Sequence, residues 1–308
     1  MKVAVTGATG FVGSRLVEQL HMEGHEVIVL TRNAEQAKQR FPNSVFTRVT
    51  VVAYNPREAG DWQAVISGCD GIVNLAGEPI AEHRWTPEHK QLLLDSRILT
   101  TQHLVDAIHQ ATSKPSVLVN ASAIGFYGTS ETASFDETSP AGNDFLAEIC
   151  QKWEAAAQGV TASGTRLVIL RLGIVLGMGG ALGKMLPPFR MFAGGPIGSG
   201  RQWFSWIHRD DVVALIMQAL TQPEMQGIYN ATAPNPVRME DLCQTLGQVL
   251  QRPSWLPVPS FALEAMLGEG AKVVLEGQQV LPKQTLASGF QYTYPTVKPA
   301  LEQVLAAG

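Results

Sequence analysis

"VAVTGATGFVGSRLVEQL", residues 3–20, decides the fold. A β-branched apolar run enters Gly7, Gly10 and Gly13, and an apolar pattern of helical period leaves them, so strand, tight turn and helix follow one another directly. The turn needs glycine where φ is positive or where the backbone must come close to a pyrophosphate. The helix behind it turns unsatisfied amides and its dipole toward negative charge. Gly7, Thr9, Gly10, Phe11, Val12 and Gly13 are therefore the candidate cofactor contacts of this segment. In a chain with 29 glycines the G-x-x-G-x-x-G spacing is weak by itself; its place between a strand and a helix gives it weight.

Outward from this unit, β-branched runs alternate with amphipathic stretches. "EVIVLT", "FTRVTVV", "GIVNLAG", "SVLVNAS" and "RLVILRLGIVL" read as further strands. "SRILTTQHLVDAIHQA", "DFLAEICQKWEAAA" and "DDVVALIMQAL" read as helices, the last after a possible Asp cap. The alternation predicts an α/β fold, a doubly wound parallel sheet of the Rossmann kind over residues 1–233. From about residue 234 the texture changes to Pro-punctuated pieces, with Pro253, Pro257 and Pro259 close together, which predicts a small C-terminal α+β subdomain over 234–308.

Composition bounds the function. Of 308 residues 45% are hydrophobic and 16% charged, enough for a substantial core. The net charge of -4, without long runs of one sign, argues against nucleic acid as a partner and against an anionic membrane surface. Cys69, Cys150 and Cys243 fit neither a disulfide framework nor zinc spacing, and His208 has no second ligand nearby in sequence, so no metal is expected. The N-terminus does not read as a signal peptide and no uncharged apolar run is long enough to span a membrane. A cytoplasmic protein is the expectation, or the mature form of one in an organellar stroma.

The end of the second strand normally separates NAD from NADP, because an acid there bonds the ribose 2′-hydroxyl and repels a 2′-phosphate. Here Thr31 and Arg32 stand in that place, and Arg32 suits a phosphate, so NADP(H) is the expected cofactor. Leu75, Ala76 and Gly77, small residues ending "VNLAG", are candidates for passing close to it.

"TGATGFVG", "NLAGEP", "NASAIGFYG", "LRLGIVLG" and "WIHRDDVV", in this order, resemble the extended short-chain dehydrogenase/reductases, the nucleotide-sugar epimerases and dehydratases. "NLAGEPIAEHRWT", "GSGRQWFSWIHRDD" and "LPKQTLASGFQYTYPTVKPALEQVL" are similar to an atypical branch of epimerase-like proteins, some of them named for cell or plastid division. The resemblance implies a small-molecule substrate, such as a nucleotide sugar or a related polar compound, and a possible homodimer; a protein partner is unknown. It also implies a Ser or Thr after the fifth strand and a Tyr-x-x-x-Lys on the next helix, with an acid four residues on. With Glu154 as that acid, Leu146 stands at the Tyr position and Cys150 at the Lys position; shifted by one, Phe145 and Ile149 stand there. Neither register supplies the phenol and cation that such proton transfer uses.

"YPTVK", residues 294–298, has the missing form but stands at the last helical stretch, where Pro295 suits a first turn, Tyr294 packs ahead of it and Lys298 faces solvent. It is read as coincidence. The remaining catalytic candidates are Ser122, which either bonds a substrate oxygen or caps a turn, and Tyr127, which either faces substrate or packs. Lys152, four residues after Glu148, reads as a surface ion pair. Arg201 could meet a phosphate or carboxylate, and Trp203 or Trp206 could stack on a planar ring, so these three are the substrate candidates. Two readings stand: an NADP(H)-dependent oxidoreductase or epimerase-like enzyme, and a catalytically degenerate protein that responds to NADP(H) and regulates a partner.

Overall fold

The computed structural model describes residues 1–306. Five of its strands are β1 (Lys2–Thr6), β2 (Glu26–Thr31), β3 (Val49–Ala53), β4 (Gly71–Asn74) and β5 (Val117–Ala123). With Arg166–Leu172 and Gly227–Ala231 they form one parallel sheet of seven strands. Reading across it, Gly227–Ala231 is one edge, then come Arg166–Leu172, β5, β4, β1, β2 and β3. Chain order reverses between β1 and β4, so a crevice opens beyond their carboxyl ends.

Helices cover both faces. Of α1 (Phe11–Met22), α2 (Ala34–Arg40), α3 (Pro87–Gln110), α4 (Phe145–Gln158), α5 (Gly180–Arg190), α6 (Arg209–Thr221) and α7 (Met239–Leu250), it is α1, α2 and α6 that pack on one face and α3 and α4 on the other. Strand alternation divides β1 between two cores. Val3 and Val5 pack in the cluster that holds Leu16 and Leu20 of α1 and Leu215 and Ile216 of α6, whereas Ala4 faces Leu104 and Ile108 of α3. Both faces are therefore dry, and the strands read as continuous apolar runs. Gly24 ends the first helical unit at φ +81, its amide donating to His21 O, as a left-handed C-terminal residue does.

A third core joins the C-terminal residues to the middle of the chain. Leu242 and Leu246 of α7 and Leu301 and Val304 of the helix Val297–Ala306 pack with Leu182, Phe189, Phe204 and Trp206. Residues 174–206 thus serve the same layer as those after 234. Trp203–Phe204 pairs antiparallel with Val237–Arg238, and Gln279–Val280 pairs with Ser134–Phe135, which ties the C-terminal part over the crevice.

The structure departs from the sequence reading in four places. "RLVILRLGIVL" is two strands, because Gly173 turns the chain out of the sheet and Ile174–Leu176 pairs with Trp206–His208. "GIYNA", the edge strand, was unforeseen: it is short and carries the polar Asn230. Helix α6 is capped by His208, whose Nδ1 accepts from the Asp210 amide, while Asp210 pairs with Arg15 and Asp211 accepts from the Thr293 and Tyr294 amides. Pro295 lies ahead of the last helix, which begins at Val297. Tyr294 packs on His208 with ring centroids 4.0 Å apart, and Lys298 is exposed.

His208 gives the fold a pH dependence. Burial pushes its pKa down, against the opposing pull of Gln303, Asp210 and Asp211, with Arg209 helping to depress it. A depressed His is neutral when folded, so its contribution is complete above the unfolded value of about 6.5 and is lost as pH falls through it. Denaturant unfolding between pH 7 and 5.5 is expected to show stability falling by up to ~1.4 kcal/mol per pH unit from this residue, a slope that His208→Gln flattens. An unchanged slope in that variant would contradict the assignment.

Candidate functional site

The crevice at the β1/β4 reversal is the mouth of a cleft of about 960 Å³. Its floor at one end is the glycine turn. Gly7 has φ +64, and a Cβ there would sit 2.5 Å from Leu75 O; one at Gly13 would sit 2.2 Å from Gly7 O. Only glycine lets β1, the turn and α1 approach so closely. Gly10 opens α1 with no side-chain cap, so the first-turn amides are free to meet an anion. Gly7, Gly10, Phe11, Val12, Gly13, Leu75, Ala76 and Gly77 all line the cleft.

Beneath this end lies a buried polar knot. Thr6 Oγ1 donates to Asn74 Oδ1 at 2.6 Å, and Asn74 Nδ2 donates to Thr101 and to Asn120. Trp153 Nε1 donates to the same Thr101 hydroxyl. The knot fixes the ends of β1, β4 and β5 against α3 and α4, holding the crevice at constant width.

Other sequence candidates at this end fall outside the lining. Thr9 is half-buried beside the turn. Thr31 is buried with its hydroxyl bonded to Asn33, donating to the carbonyl and accepting from the amide, so that oxygen serves a local turn. Arg32 is exposed at the rim, 3.9 Å from Glu78. Its side chain is free to swing toward a ligand beyond β2.

Deeper in, β5 and the turn after it carry Ser122 and Tyr127, and both line the cleft. Both hydroxyls are tied inward. Ser122 Oγ donates to Glu154 Oε1 at 2.6 Å; Glu154 accepts two bonds from Arg171, each 2.8 Å. Arg171 also donates to Tyr127 Oη at 3.0 Å, and that phenol donates to Asn230 Oδ1 at 2.7 Å. Burial raises the Tyr127 pKa, opposed by the Arg171 guanidinium. Tyr127 therefore has a cationic partner that the sequence did not disclose, since Arg171 lies two strands and a helix away in the chain. The guanidinium carbon also stands 3.3 Å from the Phe126 ring centroid, so charge, fork and stacking are all used.

Helix α4, begun by Asp144 accepting from the Ala147 amide, turns Leu146, Ile149, Cys150 and Trp153 toward the cleft. The Cys150 thiol donates weakly to Ala123 O, and burial pushes its pKa up to about 11. It is a protonated thiol in an apolar wall. Lys152, on the other face, pairs with Glu148 at 2.6 Å as the spacing predicts.

The outer wall is the C-terminal part and the loop after β4. Trp85 meets Phe145 edge to face, and Lys90, paired with Glu269, stands over both rings. Trp203, Ser205, Lys272, Glu276 and Gln278 close the far side. Trp203 is fixed by a bond to Glu131 O and by the Arg238 guanidinium 3.8 Å from its ring. Two substrate candidates are not there. Trp206 is fully buried in the third core with its indole nitrogen on Asn235 O, so it has no face to offer a ligand. Arg201 is exposed outside the lining, 3.7 Å from Glu131.

Residues 3–232 match the model of the NAD dependent epimerase/dehydratase family, and residues 258–304 match a domain of unknown function, DUF1731. The chain belongs to this epimerase/dehydratase family. It is 52% identical to the chloroplastic epimerase family protein SDR39U1 homolog of Arabidopsis thaliana, over 99% of this chain and 87% of that protein. The solved structure of human epimerase family protein SDR39U1 with NADPH superposes with a TM-score of 0.89 at 38% identity, covering 99% of each chain. UDP-glucuronic acid 4-epimerase of Bacillus cereus shares the fold, with a TM-score of 0.80 at 18% identity over 99% of this chain and 98% of that one. Among the described residues no helix is long and apolar enough to cross a membrane.

Proposed function

We propose that this chain binds NADP(H) along the cleft and acts as an oxidoreductase or epimerase-like enzyme on a nucleotide sugar or a related polar small molecule, without the usual Tyr-x-x-x-Lys pair. The observation that carries the reading is the continuity of the cleft, which runs from the glycine turn past Ser122 to Trp203 and Gln278 of the outer wall. Arg32 at the rim, with no acid in its place, supports a 2′-phosphate over a bare ribose, and the NADPH in the human relative supports the same choice.

Bound NADP(H) supplies or takes a hydride. The chain's own residues handle the proton. Ser122 lines the cleft with its hydroxyl donating to Glu154, so in this reading a substrate hydroxyl gives its proton to Ser122 Oγ as Ser122 gives its own to the Glu154 carboxylate, which Arg171 holds in place. In either register, Leu146 with Cys150 or Phe145 with Ile149, α4 carries neither the Tyr nor the Lys of the resemblance, which supports a proton route through β5 instead of α4.

One observation favours the second reading, a degenerate protein that responds to NADP(H) without turnover: both hydroxyls are already satisfied within the fold. Incubation of the protein with NADP⁺ and a panel of nucleotide sugars separates the two. The enzyme reading expects reduction of cofactor or interconversion of one sugar, lost in Ser122→Ala with nucleotide binding intact. Absence of any cofactor-dependent change across the panel and across simple polar alcohols would sink it.

A further inference from the structure

Two apolar segments come together on the surface away from the sheet. Met191 and Phe192 follow the end of α5, and Trp255, Phe261 and Met266 belong to residues 255–266. Each of the five is more than half exposed, and among the other large apolar residues described only Met22 and Val45 are. The two segments are joined through their backbones. The Trp255 and Leu256 amides donate to Gly194 O, the Val258 amide donates to Pro196 O, and the Trp255 indole donates to Phe192 O at 3.2 Å. A Cβ on Gly195 would lie 2.2 Å from Leu256 O, so the bare backbone there lets the segments lie directly side by side.

Helix α8 (Ser260–Leu267) follows at once. Six of its eight residues are apolar, yet none is buried. A helix that is apolar all round belongs inside a protein or against a partner. Phe192 is a second sign. It holds φ +60, a left-handed conformation that a bulky residue adopts only under constraint, and its exposed ring lies 4.5 Å from the Arg252 guanidinium. At about 200 Å² for a fully exposed large side chain, Met191, Phe192, Trp255, Leu256, Phe261 and Met266 together offer roughly 700–800 Å². That exceeds the ~300–600 Å² of the largest patch on a typical monomer and matches the ~800 Å² that each partner gives to a stable interface.

Charge selects the occupant. Arg190 stands beside Met191, and Glu264 stands on α8 between Phe261 and Met266. Both are exposed, and neither has an ion-pair partner among the described residues. An anionic lipid surface would favour one sign, whereas this patch carries a cation in one half and an anion in the other. An isologous contact sets each half against the opposite half of a second copy, so a two-fold axis through the patch pairs Arg190 with Glu264 twice.

We propose that this face joins two copies of the chain in a symmetric dimer, α8 of each packed on Phe192 and Trp255 of the other. The segment after α8 carries Glu269, Lys272 and Val273 of the cleft's outer wall, so the second copy braces that wall from behind.

Sedimentation velocity of the full chain tests this, with circular dichroism to show that each variant is folded. The wild type is expected to be a dimer at about 10 µM, and Phe261→Glu combined with Met266→Glu to raise the dissociation constant at least about 100-fold, leaving a folded monomer. Arg190→Glu and Glu264→Arg are each expected to weaken the dimer about 10-fold, and the two reversals together to restore it. If the Phe261 and Met266 variant does not fold, the charge reversals carry the test, since both sites are exposed. A wild type that stays monomeric up to about 100 µM overturns the proposal, and one that is monomeric but binds phosphatidylglycerol vesicles overturns it in favour of a lipid surface. A dimer that survives both sets of variants is joined elsewhere and overturns it as well.

Discussion

Gly13→Ala is expected to abolish nucleotide binding at any practical concentration, a loss on the order of 100-fold or more, while the sheet still folds. The added Cβ would meet Gly7 O at 2.2 Å and Ala8 Cα at 2.8 Å, and both are backbone atoms that cannot swing aside. The start of α1 must retreat from the turn. That withdraws the uncapped amides behind Gly10 from the place where a pyrophosphate would lie. Reaching an ordinary contact of 3.4 Å from 2.2 Å takes a retreat of about 1 Å, which Leu16 and Leu20, packed in the core further along the helix, resist, so some stability is lost together with the affinity. Calorimetric titration with NADPH, beside thermal unfolding, checks both halves. Wild-type affinity in this variant would mean that the cleft's nucleotide end lies elsewhere.

Arg171→Met is expected to destabilise the fold by about 3–5 kcal/mol, the cost of leaving a buried charge without its partner. Arg171 is 2% exposed and serves Glu154 twice, Tyr127 once and the Phe126 ring by stacking. Methionine keeps much of the volume, so the loss is mainly electrostatic. Glu154 would be left with the Ser122 hydroxyl alone, and Tyr127 would lose the cation that opposes its upward pKa shift. The double variant Arg171→Met with Glu154→Met should regain most of the stability, since it removes the orphaned carboxylate. Urea unfolding of the single and double variants measures this. A single variant within about 1 kcal/mol of wild type would show that the pair is solvated and not part of a buried relay.

Much of this could be read from residues near one another in the chain. The strand, glycine turn and helix of residues 3–20 depend on local conformation and on an apolar period, and they define the sheet's first crossover. The Glu148–Lys152 pair is likewise within one helical turn. What stayed hidden depends on packing between distant segments. Trp206 looks like a ligand-facing aromatic in "GSGRQWFSWIHRDD", yet strand alternation turns it into the third core while Trp203 points to the cleft. Tyr127 seemed to lack a partner because Arg171 arrives from the strand beside β5, where it stands in register with Ser122. The boundary near 233 follows composition, whereas the third core takes residues on both sides of it.

The most direct test of the central claim is equilibrium binding of NADPH and NADH to the purified full chain at physiological salt, repeated with Arg32→Ala. The account predicts one molecule of NADPH per chain, bound more tightly than NADH, with the preference reduced in the Arg32 variant and NADH affinity unchanged. Failure of both nucleotides to bind, or a preference for NADH that the Arg32 variant does not alter, would contradict it.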